Sequence, residues 1–392
     1  MTLAGISLAY LRARPLATIL NLLLLALGVA TITVLMLATR QLEERMGRDA
    51  RGIDLVAGAK GSPMQLVLSA VFHLDAPTGN ILLADAMALA KQRAVKKAIP
   101  LALGDSYKGF RIVGSNHDYP AHYGARIAAG RLWSAPMEAV LGAEVAAKAK
   151  LAVGASITGA HGLGEGGDEH ESEPYKIVGV LAPGGTVLDR LVLTSIESVW
   201  EVHEHGSPAG SPKEITALLI QYASPLAAAT LPRMVNATSA LQAASPAYES
   251  ARLFRMIGVG VEVLRAFGVV LMFAAGLSVF IALLNALEER RYDLAVMRML
   301  GAAPSRLLGL MLLEGGALAL AGGIAGIGLG HLLTEGLGMA LQQAQQAAVT
   351  GRTWNDDEWW LLAASLAVGI IAALVPAWRA YRTDVAPVLA EG

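Results

Sequence analysis

The stretch Arg290–Arg306, "RRYDLAVMRMLGAAPSR", holds four arginines and one aspartate, yet it sits between two runs too apolar for water. Upstream, Phe267–Leu287 carries no charge, and downstream, Leu307–Leu333 carries a single acid, Glu314, near its start. At ~1.5 Å per helical residue each run covers a ~30 Å hydrocarbon layer, so the charged stretch reads as a loop between two membrane crossings. Two more runs of the same kind follow from this reading. Leu16–Ala38 is free of charge, and Trp359–Ala377 is bracketed by Trp354, Trp359 and Trp360 on one side and by Trp378 and Tyr381 on the other. Such rings mark membrane surfaces. Composition agrees: of 392 residues 54% are hydrophobic and 16% charged, against about a quarter charged in ordinary globular proteins.

A formal charge of −1 argues against a bulk electrostatic partner such as nucleic acid, since neutralising phosphates needs a concentrated surplus of Lys and Arg. Cysteine is absent, which removes disulfides and thiolate chemistry. The first run is longer than the about 7–15 apolar residues of a cleaved signal peptide and leads into charged "RQLEERMGR", so it is expected to stay on the chain.

Short-loop bases set the orientation. Arg12, Arg14, Arg290, Arg291, Arg298, Arg306, Arg379 and Arg382 fall on one side, whereas the opposite short loop has Arg352 as its only base. The expectation is a multi-pass protein of a bacterial inner membrane with both termini cytoplasmic. Its order is a cytoplasmic segment (1–15), a first span (16–38), an extracytoplasmic domain (39–258) and a second span (259–287). A cytoplasmic helix and loop (288–306), a third span (307–333), a short outer loop (334–358), a fourth span (359–378) and a cytoplasmic tail (379–392) complete it.

Within the large domain, "FRIVGS", "EAVLGAE", "YKIVGVL", "RLVLTS" and "EITALLIQY" have strand character, while "ADAMALAKQRAVKKA" and "AEVAAKAKL" have helical character. The fold class is therefore four transmembrane α-helices with a large α+β extracytoplasmic domain between the first and second spans. From Pro246 to the second span no strong breaker occurs, so one long helix is expected to run from the domain into the bilayer.

In the opening stretch, Leu287, Leu294, Met297 and Leu300 fall near one helical face, with Arg290, Arg291, Asp293 and Arg298 mainly elsewhere. Gly301 stops that helix and Pro304 suits the first turn of the next. Two readings fit these residues: bases that fix topology above an apolar face resting on lipid headgroups, or a docking surface for a soluble partner. Gly322, Gly326 and Gly330, spaced four apart, make a flat face on which another helix can pack closely. Glu314 has no evident intramembrane partner and is expected to hydrogen-bond a neighbouring helix rather than to serve a proton path.

"GAHGLGEGGDEHESEPY" contains a G-x-G-x-x-G, but the surrounding Glu165, Asp168, Glu169, Glu171 and Glu173 would repel a pyrophosphate. The same loop offers His161 and His170, and "VWEVHEHGSP" offers His203 and His205, all beside carboxylates. Imidazole with carboxylate suits zinc, though no H-E-x-x-H occurs. There is no G-x-S-x-G for a serine nucleophile and no G-x-x-x-x-G-K-[ST] to cradle a triphosphate. His73, His117 and His122 have no recognisable partner spacing.

"ERRYDLAVMRMLGAAPSRLLGLMLLEGGALALAGGIAGIGLG" resembles the signature region of the MacB/FtsX-like permeases, ABC transporter subunits that also include the lipoprotein-releasing LolC and LolE. The resemblance rests on Met297–Ala302, Glu314, and Gly322, Gly323, Gly326 and Gly330, and on a tail similar to the family's at Pro376, Ala377, Arg379, Ala380, Asp384 and Leu389. Val385-Ala386-Pro387 displaces that tail's usual proline by two places. The resemblance implies a division of labour: the helix around Arg290–Gly301 would dock on an ATP-binding subunit that holds ATP and Mg, and two permease subunits would pair, as a homodimer or with a related chain. Members with a fused ATPase carry it ahead of the first span, where residues 1–15 stand here, so the ATPase is expected to be a separate chain and this one to be no enzyme and to bind no cofactor beyond the candidate zinc. It also implies export or extraction of a substrate, with a periplasmic adaptor or lipoprotein as a further partner, or else an FtsX-like switch acting on a periplasmic cell-wall hydrolase without transport.

Overall fold

Long stretches with neither charge nor proline give long helices, and four of them dominate a computed structural model that describes residues 3–161, 174–204, 212–343 and 349–382. In chain order the helices are α1 (Leu3–Ala13), α2 (Pro15–Asp49), α3 (Pro63–Ala70), α4 (Leu83–Ala90), α5 (Asp118–His122) and α6 (Ala143–Ala149). They continue with α7 (Ile196–Glu204), α8 (Pro225–Thr238), α9 (Pro246–Glu289), α10 (Arg291–Met299), α11 (Pro304–Gln343) and α12 (Asp357–Tyr381). The strands are β1 (Leu55–Ala59), β2 (Ile81–Leu82), β3 (Val95–Tyr107), β4 (Phe110–Ser115), β5 (Ile127–Gly130), β6 (Glu138–Leu141) and β7 (Ser156–Ile157). After them come β8 (Ala160–His161), β9 (Tyr175–Leu181), β10 (Val192–Thr194), β11 (Glu214–Ile215), β12 (Ala217–Tyr222) and β13 (Leu241–Ala244). Two units form: residues 1–42 with 257–392, and residues 43–256.

In the helical unit, α2, α9, α11 and α12 are each long and apolar enough to cross a bilayer. Two of them outrun their expected spans. Nothing in "RQLEERMGRD" breaks a helix, so α2 continues past Ala38 to Asp49, and α11 continues past Leu333 to Gln343, into the stretch read from sequence as a loop. The helix expected from Pro246 is unbroken to Glu289. Two hydroxyls inside these helices turn back on their own backbone, Thr33 onto the Val29 carbonyl at 3.0 Å and Thr334 onto that of Gly330 at 2.8 Å, which satisfies both within an apolar layer.

The other unit is a mixed sheet in the order β13-β1-β12-β3-β4-β10-β6-β9-β5, with β7 on β9 and β8 on β3, and helices packed on it. β4–β10 and β6–β9 run parallel, and the remaining neighbours antiparallel. "FRIVGS" and "YKIVGVL" become β4 and β9 residue for residue. "EITALLIQY" is divided at Thr216 into β11 and β12; there the Thr216 hydroxyl accepts the Leu103 amide at 2.9 Å while its own N–H donates to the Leu101 carbonyl at 2.8 Å. The helix expected over "ADAMALAKQRAVKKA" is a correction: α4 stops at Ala90, a turn follows, and Val95 opens β3. The ladder explains it, since Ala98 pairs with Ile220 and Lys97 with Gln221, and Val95 and Ala98 pack on the core that Leu55, Leu218 and Ile220 build. A long partnered strand outweighs local helix propensity. A second apolar cluster, around Ile112, Leu141, Tyr175 and Ile177, fills the other half of the sheet.

The same unit holds a buried polar chain. His73, at the positive φ of 54°, meets the Tyr119 hydroxyl through Nε2 at 2.9 Å, and the neighbouring Tyr123 hydroxyl donates to the Asp49 carbonyl at 2.7 Å. His73 and Tyr119 are buried, which disfavours a charge on the ring, and the cations Arg111 and Arg190 disfavour it further, so His73 titrates well below the ordinary histidine value of 6.5. The unfolded chain then takes up this proton first: stability is fully present above pH 6.5 and is lost as pH falls below it. The urea midpoint of this unit should therefore drop between neutral pH and pH ~5, and His73→Asn should flatten that pH dependence while lowering the neutral-pH midpoint.

Candidate functional site

Helix α10 owes its ends to specific residues. Asp293 in the first turn and Arg298 in the last complement the helix dipole. At the C-terminus Gly301 adopts φ 94°, its N–H reaches the Arg298 carbonyl at 3.1 Å, and the Ala302 N–H reaches that of Met297 at 3.0 Å. These two bonds are a Schellman stop, which a side chain at the left-handed position would strain. Pro304 then opens α11.

The two faces of α10 differ. Leu294 is fully buried, in a cluster with Leu287, Leu307, Leu310, Met311 and Ala377, and Met297 packs against that cluster. Arg291, Tyr292, Asp293, Met299, Leu300 and Gly301 face outward, with Met299 67% and Leu300 83% exposed. The expected docking set divides between these two faces. Leu294 and Arg290 are turned inward, because the apolar stripe read from sequence divides: Leu287, Leu294 and Met297 anchor the helix to its own chain, while Leu300 is left outside. Arg298 is half-buried, and Tyr292 and Met299, not singled out before, lie on the outward face.

Arg290 finds the acid that had no evident partner. Its guanidinium donates to both Glu314 carboxylate oxygens at 3.3 and 3.2 Å, and the two residues are 7% and 2% exposed. The Tyr10 ring of α1 covers that guanidinium, 3.7 Å from the ring centre, and Arg14 pairs with Glu289 alongside. The expected neighbour-helix bond of Glu314 is thus an ion pair with the residue joining α9 to α10. Its signal in the sequence is the single acid of an apolar span, which requires a base; Tyr10 leaves no comparable signal.

Gly322, Gly326 and Gly330 face α2. A Cβ built on Gly326 would lie 2.6 Å from Val29 Cβ and 2.8 Å from the Ala26 carbonyl, and one on Gly330 would lie 2.6 Å from Thr33 Cβ. Past that ladder, Gln41 exchanges two hydrogen bonds with Thr350 at 2.7 and 2.8 Å, and Arg40 pairs with Asn355. His331 joins the same end: one ring nitrogen meets the Gly351 carbonyl, the other the buried Glu358 carboxylate at 2.8 Å, and Trp354 stacks on the ring. Sequence reading missed this group, since its members are scattered between positions 40 and 358.

Of the zinc candidates, His161 lies in β8 and His203 in α7, whereas His170 and His205 lie outside the described residues. Among the described residues no group of three His, Asp or Glu side chains could hold a metal ion. His117 and His122 hydrogen-bond backbone carbonyls of Trp133 and Arg51, the work of turn residues.

Two family models match the chain: FtsX-like permease C-terminal over residues 265–385, and MacB-like periplasmic core domain over residues 18–237. Among solved structures, the periplasmic region of MacB from Actinobacillus actinomycetemcomitans is similar over 52% of this chain and 95% of that one, at 12% identity and a TM-score of 0.34. The extracellular domain of the noncanonic ABC-type transporter YknZ from Gram-positive bacteria is similar over 48% of this chain and 98% of that one, at 14% identity and a TM-score of 0.31. No curated protein matches the sequence.

The glycine ladder generates a stability prediction. Gly326→Leu forces a side chain into the Val29 and Ala26 backbone contact and should destabilise the helical unit by about 1–3 kcal/mol in detergent unfolding, whereas Gly328→Leu, with nothing near its added carbon, should be neutral.

Proposed function

The chain belongs to the family of MacB- and FtsX-like ABC transporter permeases, whose periplasmic-core model covers more than half of it, and on that premise we propose that it couples ATP hydrolysis by a separate ATP-binding subunit to movement of its periplasmic domain, exporting or extracting a substrate. In this reading the chain lies in the bacterial inner membrane with both termini and α10 in the cytoplasm, and it pairs with a second permease subunit. ATP and Mg belong to the partner; no phosphate-cradling motif occurs within these 392 residues.

The observation that carries the reading is the two-sided character of α10. Exposed Met299 and Leu300, beside Tyr292 and Arg291, present an apolar and basic patch at a point where the opposite face is locked to the chain's own core. Aromatic, methionine and arginine side chains are those that dominate binding when desolvated at an interface. The Arg-rich flanks support a cytoplasmic position for this patch. The unbroken helices α2 and α9 support transmission, since each is one hydrogen-bonded rod along its length.

Replacing Tyr292 and Leu300 together by Asp should cut co-purification of the ATP-binding subunit by about tenfold or more, equivalent to 1.4 kcal/mol, while folded yield stays near that of the parent. Leu294→Asp should behave differently and lose folded protein, because it puts a charge in a sealed cluster. Undiminished co-purification with the Tyr292 and Leu300 pair altered would refute the docking assignment.

A further inference from the structure

We propose that the Arg290–Glu314 pair, capped by the Tyr10 ring, is the joint that makes α10 and α11 move as one body; this rests on the reading of α10 as the docking element. Helix α10 lies between two backbone breaks. Arg290 alone separates it from α9, and the turn through Gly301 separates it from α11. A nine-residue helix held by two such breaks is free to swing unless side chains fix it. Apolar packing through Leu294 resists withdrawal but is not directional, so it permits rotation and sliding. The ion pair supplies the direction. Arg290 leaves the first break and grips Glu314, ten positions into α11 or ~15 Å along its axis, with two hydrogen bonds. Buried, it has no water to exchange for its partner, so the two ends stay together or both lose heavily. Tyr10 closes the third side of the guanidinium, and Arg14 on the chain just after α1 holds Glu289 beside it, which ties the N-terminal helix into the same body. Arg290 and Glu314 are positioning residues: they touch no partner and act by passing displacement of the exposed α10 face to α11.

The chain has no cysteine, so spin labels can be placed singly on an otherwise silent background. Labels at the exposed positions Leu300 and Ile371 report α10 against α12, and labels at Ile19 and Leu332 report α2 against α11. In lipid nanodiscs the Leu300–Ile371 distance distribution should widen by about twofold in Glu314→Gln and stay narrow in Glu314→Asp, which keeps the charge. In the complex with the ATP-binding subunit, added ATP should change the Ile19–Leu332 distance in the parent and in Glu314→Asp but not in Glu314→Gln, although the subunit still co-purifies. An unchanged α10 distribution, or a full ATP response in Glu314→Gln, overturns the joint. If the parent fails to bind the subunit, the docking reading falls instead, and the α10 distribution alone still decides the joint. Should Glu314→Gln yield no folded protein, Tyr10→Leu, which leaves both charges and removes the ring, takes its place with the same two expectations.

Discussion

One charge pair in greasy surroundings organises the Arg-rich end of the helical unit. Isolated, Glu314 would be an acid without water in an apolar helix, and Arg290 a base trapped under an aromatic ring; each is tolerable only because of the other. Their pairing ties the residue between α9 and α10 to an acid ten positions into α11. Apolar packing of Leu287, Leu294, Leu307 and Met311 then fills the space the pair defines. The exposed Met299 and Leu300 are left outside that space by the helical period, which is why one short helix can be both anchored and available.

Away from this end, small residues do the work. Water-driven burial offers nothing between helices in lipid, so close approach and dispersion must hold them. Gly28 and Gly268 bring the backbones of α2 and α9 together, Gly315 and Gly369 do so for α11 and α12, and the glycine ladder seats α2 on α11. Each of these contacts is a place where a missing side chain lets two backbones approach; Leu25, Met272 and Ile327 fill the space between, while Leu16, Leu23 and Phe273 point outward.

Much of this was legible in the sequence because its causes are local. Charge-free length gave the four long helices, β-branched runs bounded by Gly and Pro gave β4 and β9, and Gly301 with Pro304 gave the α10–α11 turn. What was not legible depended on partners far along the chain. Val95–Ala98 reads as helix until β12 is beside it; Leu294 reads as a docking residue until α11 and α12 cover it; His331 says nothing until Glu358 and Trp354 arrive. Amphipathicity shows that a helix has an apolar face but not whether its own chain or another molecule fills it.

The seating of α2 on α11 has a further geometric property. Leu25, Val29 and Thr33 meet Gly322, Gly326 and Gly330 at matched steps of four residues. A groove with equal rungs is periodic, so a displacement of one rung, ~6 Å along the axis, presents the same notches to the same ridge. Shape complementarity therefore sets the lane but not the station. Polar grips past the top of the ladder have no such period: Gln41 clasps Thr350 and Arg40 clasps Asn355, both between α11 and α12, and Thr350 in turn holds Glu335 of α11 at 2.8 Å, so these few hydrogen bonds favour one axial phase.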